Sequence, residues 1–302
     1  MAAFVLAHLS DPHLATMPRP KPGELASKRA IGYYHWRQRR HAIHRIETLD
    51  RIVADLKATA PDHIAVTGDL VNIALADEFA PARVWLASLG SVKDVSLVPG
   101  NHDAYVRRTA GLSRLHWTDF MSDDANDTGH FPFVRLRGPI ALIGLSSAVP
   151  SGPLMATGVV GPEQLKQLET ILAEQRAAGR FRVVLIHHPP RKGHVAFHKR
   201  LIDSRAVRDV LARQGAELVL HGHDHIHSLE WLDGPEKAVP LVGVPSASAA
   251  ATASSHGDPA AYNLYQIDGH HGAWRCDVIS RGFAAGGETI AEISRTTLNP
   301  PN

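Results

Sequence analysis

The chain has almost no cysteine, few aromatic residues and almost no net charge. Its one cysteine, Cys276, permits no intramolecular disulfide and no cysteine-based metal cluster. Lys and Arg number 32 against 30 Asp and Glu, a formal charge of +2. General polyanion binding does not follow from that balance, and no nucleic acid polymer is expected as a partner. No stretch approaches the roughly 18 uninterrupted apolar residues of a membrane span. The apolar run from Ala2 to Ala7 has no basic residues ahead of it and is too short for a secretory leader. Asp11 follows almost at once, so the run reads as a first strand. The working expectation is a cytoplasmic protein. There is no internal repeat and no domain-scale linker. What remains is 302 residues, 44% of them hydrophobic, which suits one large α/β domain.

What the chain does have is histidine, 20 residues of it, and five short polar motifs. They are Asp11-Pro12-His13, Gly68-Asp69, Gly100-Asn101-His102-Asp103, His187-His188-Pro189 and Gly222-His223-Asp224-His225. Each directly follows an apolar, β-branched run that reads as a strand: Phe4 to Leu9, Ile64 to Val66, Val95 to Val98, Val183 to Ile186 and Leu218 to Leu220. In an open α/β sheet, strand ends feed one crevice, so motifs distant in sequence can meet. Asp, His and Asn are ligand types for divalent transition metals, and paired metals are a device for cleaving phosphate esters.

Helical patterns alternate with the strands. Helices are expected over Trp36 to Ala58, over Ala76 to Leu89 with Asp77 as cap, over Pro162 to Ala178, and over Asp203 to Gln214 with Asp203 as cap. Past His225, the segments Ser228 to Leu232, Val239 to Val244, Tyr262 to Ile267 and Ala273 to Ile279 read as consecutive strands completing a second sheet. Ala247 to Ser255 reads as a loop. Residues 286–302 read as a polar tail or terminal arm. His41, His44, His116, His130 and His256 lie outside the motifs and read as surface or packing histidines.

The five motifs, in this order, resemble the calcineurin-like metallophosphoesterase superfamily, and the resemblance runs from Phe4 to His225. It implies an α/β fold, a four-layer α-β-β-α sandwich of two mixed sheets flanked by helices, with residues 1–285 as the catalytic domain. It implies two divalent ions (Mn, Fe or Zn). Asp11 and His13 would bind the first, Asp69 would bridge both, and Asn101 would bind the second. Of the adjacent His187 and His188, the first matches the family's ligand. His223 would bind the second ion and His225 the first, their i, i+2 spacing placing both on one side of an extended chain. His102 would face substrate and protonate the leaving oxygen, oriented by a hydrogen bond from Asp103. The metals, about 3.5–4 Å apart, would hold a hydroxide that attacks phosphorus in line. Asn72 reads as helix-entry chemistry.

Substrate identity is less constrained. The resemblance favours a phosphodiesterase of the bacterial cyclic-nucleotide and glycerophosphodiester branch. The alternatives are a pyrophosphatase of a nucleotide-linked lipid, a phosphomonoesterase, or a non-catalytic binding module; the last is disfavoured because no motif residue is missing. Two basic segments are candidate substrate caps, residues 19–45 with Tyr33, Tyr34 and Trp36, and residues 190–202 with Arg191, Lys192 and His194. Both are candidates for contact with a small anionic phosphoester or a peripheral lipid head group. For the helical part of the first segment, a solvated charged face is the favoured reading.

Overall fold

The computed structural model describes residues 3–14, 17–124, 129–193, 195–250, 257–283 and 289–300. Two six-stranded sheets pack face to face. The first has β1 (Phe4–Leu9), β2 (His63–Val66) and β3 (Val95–Leu97) in parallel, followed on the other side of β1 by antiparallel β10 (Ala261–Asp268), β11 (Arg275–Phe283) and β12 (Ile290–Thr297). The second runs β4 (Phe133–Arg137), β5 (Ile140–Gly144), β6 (Phe181–Leu185), β7 (Leu218–His221), β9 (Val239–Gly243), β8 (Ser228–Leu232). Its four central strands are parallel and its two edges antiparallel.

Alternation along the central strands explains the layering. Val183 and Leu185 of β6 face the inter-sheet core with their register partners Leu142 and Leu220, and with Leu6 of the first sheet. Val184 and Ile186 face outward into a second core with Leu168, Leu172, Val207 and Leu211. Both faces are therefore apolar, as parallel strands covered on two sides require. The outer core is closed by α6 (Pro162–Ala177) and α7 (Ser204–Gln214). On the opposite flank, α3 (Ile46–Ala58) buries Leu49, Ile52 and Leu56 against the first sheet. Each such side chain contributes roughly 1.5–3 kcal/mol. The layers are thus helix, sheet, sheet, helix. No helix among the described residues is long and apolar enough to cross a membrane.

Several expectations need correction. The helix expected over Trp36 to Ala58 is broken. A π-helical turn over Trp36–Arg40 and a short α2 (His41–Ile43) extend α1 (Arg29–His35). The chain is then extended at His44 (φ −89°, ψ 112°) and Arg45 (φ −119°, ψ 132°) before α3 begins. No proline or glycine causes this. Tertiary hydrogen bonds do: Arg45 N–H donates to the Ser248 carbonyl at 2.9 Å, and Ala250 N–H to the Ile43 carbonyl at 2.8 Å. In α4 (Ala76–Leu89) the cap position is Leu75, and Asp77 lies in the first turn. The freed N–H groups of Asn72, Ile73 and Leu75 are taken by the buried Glu78 carboxylate instead. Asp203 does hold the α7 cap position, but its carboxylate accepts from Val160 and Gly161, ahead of α6.

Only β8 and β9 complete the second sheet; β10, β11 and β12 return to the first. The polar stretch that reads as a tail contains β12, which pairs with β11 from Phe283–Ile290 to Asp277–Thr297. As a largely exposed edge strand it needs little apolar sequence. Of the expected loop from Ala247 to Ser255, Ala247–Ala250 are buried and the remainder lies outside the described residues.

Gly68 is where this frame is least tolerant. It sits at φ 92°, and a Cβ there would fall 2.8 Å from the Gly100 Cα and overlap the Gly100 backbone nitrogen. Gly68→Ala should destabilise the fold by about 2–3 kcal/mol, read as a lowered denaturant midpoint at unchanged slope. A wild-type midpoint would show that the β2 and β3 turns do not need this close approach.

Candidate metal centre

The five motifs emerge at the same edge of the sandwich, and the turns that carry them are unusual. Asp11, His13, Asp69, His223 and His225 all have positive φ, between 36° and 71°. Left-handed backbone in non-glycine residues costs energy and gathers at functional sites. The pair His223 and His225 therefore shares a side through two left-handed turns, not through the extended chain that their spacing suggests. The turns are locked to one another. Asp11 N–H donates to the Gly68 carbonyl at 3.0 Å and His13 N–H to the Asp69 carbonyl at 3.1 Å. His223 N–H donates to Asp11 Oδ2, also at 3.0 Å.

The seven expected ligand residues converge. Asp11 Oδ1 lies 3.0 Å from His225 Nε2 and 4.0 Å from His13 Nε2. Asp69 Oδ2 lies 3.9 Å from His13 Nε2 and 3.5 Å from His187 Nε2, between the two halves of the cluster. Asn101 Oδ1 is 3.2 Å from His187 Nε2. His223 donates Nε2–H to the Lys199 carbonyl at 2.9 Å, leaving its other ring nitrogen the lone pair. His187 and His188 differ clearly. Both nitrogens of His188 are engaged, with Ser147 Oγ at 2.7 Å and the Ala156 carbonyl at 3.2 Å.

The donor set fits divalent cations. Asp11 and Asp69 are buried, and among the described residues their only ion-pair partners are histidines. His187 donates Nδ1–H to the Thr67 carbonyl at 2.6 Å and still points Nε2 at two oxygens. A neutral imidazole has one N–H, so this arrangement calls for a second proton or a shared cation. Burial pushes the His187 imidazolium down, but the Asp69 and Asp11 carboxylates outweigh it and lift the group to about 10. The site thus demands positive charge where the ligands meet.

Asp103 plays a different part from the expected one. It makes no hydrogen bond to the His102 ring. Its buried carboxylate accepts four backbone N–H groups: Gly100 at 2.8 Å, Asp69 and Leu70 at 2.9 Å, and Val71 at 3.2 Å. It ties the β2 and β3 turns together. His102 is oriented instead by the Asn72 backbone carbonyl, which accepts from Nδ1. Asn72 is thus part of the site, and its side chain braces the first turn by donating to the Leu14 carbonyl at 2.8 Å. Nε2 of His102 accepts from the Arg40 guanidinium at 2.9 Å. Burial, reinforced by Arg40, pushes the His102 imidazolium down to about 3. His102 is therefore neutral, with its proton on Nδ1.

Within the segment 19–45, the favoured solvated-face reading passes over Arg40, although the segment is a candidate cap, and His44 reads as a packing histidine. Arg40 lines a cavity of about 150 Å³ with His102, Asp69, Asn101 and Lys199. Among the described residues it forms no ion pair with a carboxylate. The segment is anchored by Arg29, which is buried and donates from Nε to the Ile73 carbonyl at 2.9 Å and from Nη2 to Thr109 Oγ1 at 2.9 Å. The solvated-face reading holds for Arg37 and Arg39 but fails for Arg29 and Arg40. A signal was available: the segment that carries these arginines and His44 leaves the first motif directly. In the second basic segment, Arg191 pairs with Asp224 and Glu230, and Lys192 with Asp233, so those charges are already met. His194 and His256 lie outside the described residues.

The family model for calcineurin-like phosphoesterase matches residues 4–227. The chain belongs to this family. A phosphoesterase of this kind is a metal-dependent phosphoric ester hydrolase acting on small phosphoesters, with a dinuclear divalent site. A protein of Synechococcus sp. named "Probable cyclic nucleotide phosphodiesterase" is 29% identical over 251 residues, covering 80% of this chain and 81% of that protein. Among solved structures, a dimetal phosphatase from Danio rerio superposes with a TM-score of 0.63 at 14% identity over the full length of both chains. A purple acid phosphatase from yellow lupin seeds gives 0.57 at 11% identity, over 98% of this chain and 53% of that one. These structural likenesses bear on the fold, which is the expected four-layer sandwich.

Removing the Asp103 carboxylate would leave four buried N–H groups without an acceptor, each costing about 1–3 kcal/mol. Asp103→Ala should lower stability by at least about 3 kcal/mol, measured by chemical denaturation in the presence of a chelator. Retained stability would mean that the turns are held from elsewhere.

Proposed function

We propose that this phosphoesterase hydrolyses phosphodiesters, with cyclic nucleotides as the first candidate substrates. Asp11, His13, Asp69 and His225 would hold one divalent ion, and Asp69, Asn101, His187 and His223 the other. The mixed carboxylate, amide and imidazole set suits Mn, Fe or Zn better than Ca. Ions held there supply charge to offset the phosphoryl oxygens and the acidity that makes water a nucleophile at neutral pH.

The observation that carries the reading is the Arg40–His102 pair at the edge of the ligand cluster. A guanidinium without a carboxylate partner, facing the metal cavity, is built to meet an anion, and its planar fork suits phosphate. His102 holds that fork by accepting at Nε2, while the Asn72 carbonyl fixes its tautomer. In this arrangement Nε2 carries no proton for a leaving oxygen. The hydrogen bonds that stabilise the departing or non-bridging oxygens come from Arg40, with His102 as its positioning partner. Arg40 and Ile43 also line an adjoining cavity of about 420 Å³ with Tyr34, His35 and Gln38. That space accommodates the nucleoside part of a cyclic phosphodiester. The name of the Synechococcus relative agrees with this choice.

Two measurements test the proposal. With Mn²⁺, an aryl phosphodiester should turn over faster than the matching monoester, and cyclic nucleotides should compete with it. Turnover of the monoester alone would remove the diester reading. Arg40→Ala and His102→Ala should each lower kcat/KM for the diester by about 10²-fold. The double variant should be no slower than about the worse single one, because one residue acts through the other. Multiplicative losses would overturn the coupling and return an independent role to His102.

A further inference from the structure

One more imidazole reaches the cluster from outside the five motifs. His44 sits at the extended break between α2 and α3, 4% exposed. Its ring centroid is 4.4 Å from that of His13 and 5.7 Å from that of His225. Its Nδ1 lies 2.9 Å from Ser248 Oγ and 3.3 Å from Ser246 Oγ. The Ser246 hydroxyl donates its single proton to the Asp11 carbonyl at 2.6 Å, so toward His44 it can only accept. We read Nδ1 as the protonated nitrogen donating to this serine pair, which leaves Nε2 its lone pair. Among the described residues no group hydrogen-bonds to that nitrogen, and His44 lines the same cavity as His13 and His225.

The contrast with His188 is instructive. That ring is also close to the ligands, but both of its nitrogens are already used. His44 uses one on the serine pair and, among the described residues, leaves the other without a hydrogen-bond partner, in a ring that lines the cavity. Ligand atoms of His13, His44 and His225 all lie within 4.8 Å of one another. Two nitrogens bonded to one ion at about 2.1 Å stand at most about 4.2 Å apart. Side-chain movements of roughly half an ångström would therefore bring all three onto one ion.

We propose that His44 Nε2 is an additional ligand of the ion held by Asp11, His13, Asp69 and His225. The proposal rests on the dinuclear reading above and deepens it. It raises that position to three imidazoles and two carboxylates, a set that favours ions with high imidazole affinity. The serine pair Ser246 and Ser248 fixes the ring's tautomer and orientation, as partners of metal-bound histidines do. It also fastens the segment that carries Arg40 to the ion itself.

The test uses the whole chain loaded with Co²⁺. Affinities are read by competition with a chromophoric chelator, and coordination by the visible absorption spectrum. Wild type, His44→Gln, Ser248→Ala and, as a reference for ligand loss, His225→Ala are compared. His44→Gln should weaken one of two sites by at least about tenfold and alter the Co²⁺ bands, leaving the other site unchanged. Ser248→Ala loses the same tertiary hydrogen bond but keeps the imidazole, so it should retain the wild-type bands. Unchanged affinities and bands in His44→Gln overturn the ligand role even if activity falls. Bands altered equally by Ser248→Ala overturn it too, because docking of the segment would then explain the effect. Wild-type protein that binds fewer than two ions overturns the dinuclear reading, and this proposal with it.

Discussion

The site hangs on a buried carboxylate that touches neither ion position nor the His102 ring. Asp103 gathers backbone N–H groups from the turns after β2 and β3 and holds them against each other. Asp69, Asn101 and His102 all ride on those turns. Asp69 returns the connection by accepting the His102 backbone N–H at 2.7 Å. The two carboxylates thus divide the work. One faces inward to the peptide groups and shapes the loops, and the other faces the imidazoles of His13 and His187. Neutral side chains could not do the first job as well, because a single carboxylate has enough lone pairs to satisfy four donors at once.

Much of this was legible beforehand. Strand runs such as Leu218 to Leu220 end in Gly-His pairs, and a parallel sheet delivers such ends to one edge. The motifs marked the residues that cluster at that edge. What stayed hidden had a physical cause in each instance. The break at His44 is imposed by hydrogen bonds from residues 248 and 250, some two hundred positions away, so no local propensity could reveal it. The return of β10 to β12 to the first sheet is a matter of topology, which periodicity does not encode. The partner of His102 is a peptide carbonyl at Asn72, and every residue type has one of those. The partner of Asp103 is likewise backbone. Side-chain patterns therefore located the participants well and assigned their hydrogen bonds poorly.

The segment between the first motif and α3 reaches the cavity from outside the five motifs. It is clamped at Arg29 by carbonyls of the loop after β2, and at Arg45 by the Ser248 carbonyl. Between those anchors it presents Arg40 to the cavity. Arg37 and Arg39 face solvent. A charged helix can thus be both an ordinary surface and a delivery device, depending on which residues the anchors turn inward.

The position of β1 in its sheet has a consequence for synthesis. This strand leads into Asp11 and His13, yet its antiparallel neighbour is β10, contributed by residues 261–268. The first donors leave the ribosome long before the strand that secures them, and the last donors arrive only at residue 225. A nascent chain holds scattered aspartates and histidines but no assembled cluster until nearly all of it has emerged. The sheet that carries the first donors is thus closed by a strand made after every donor.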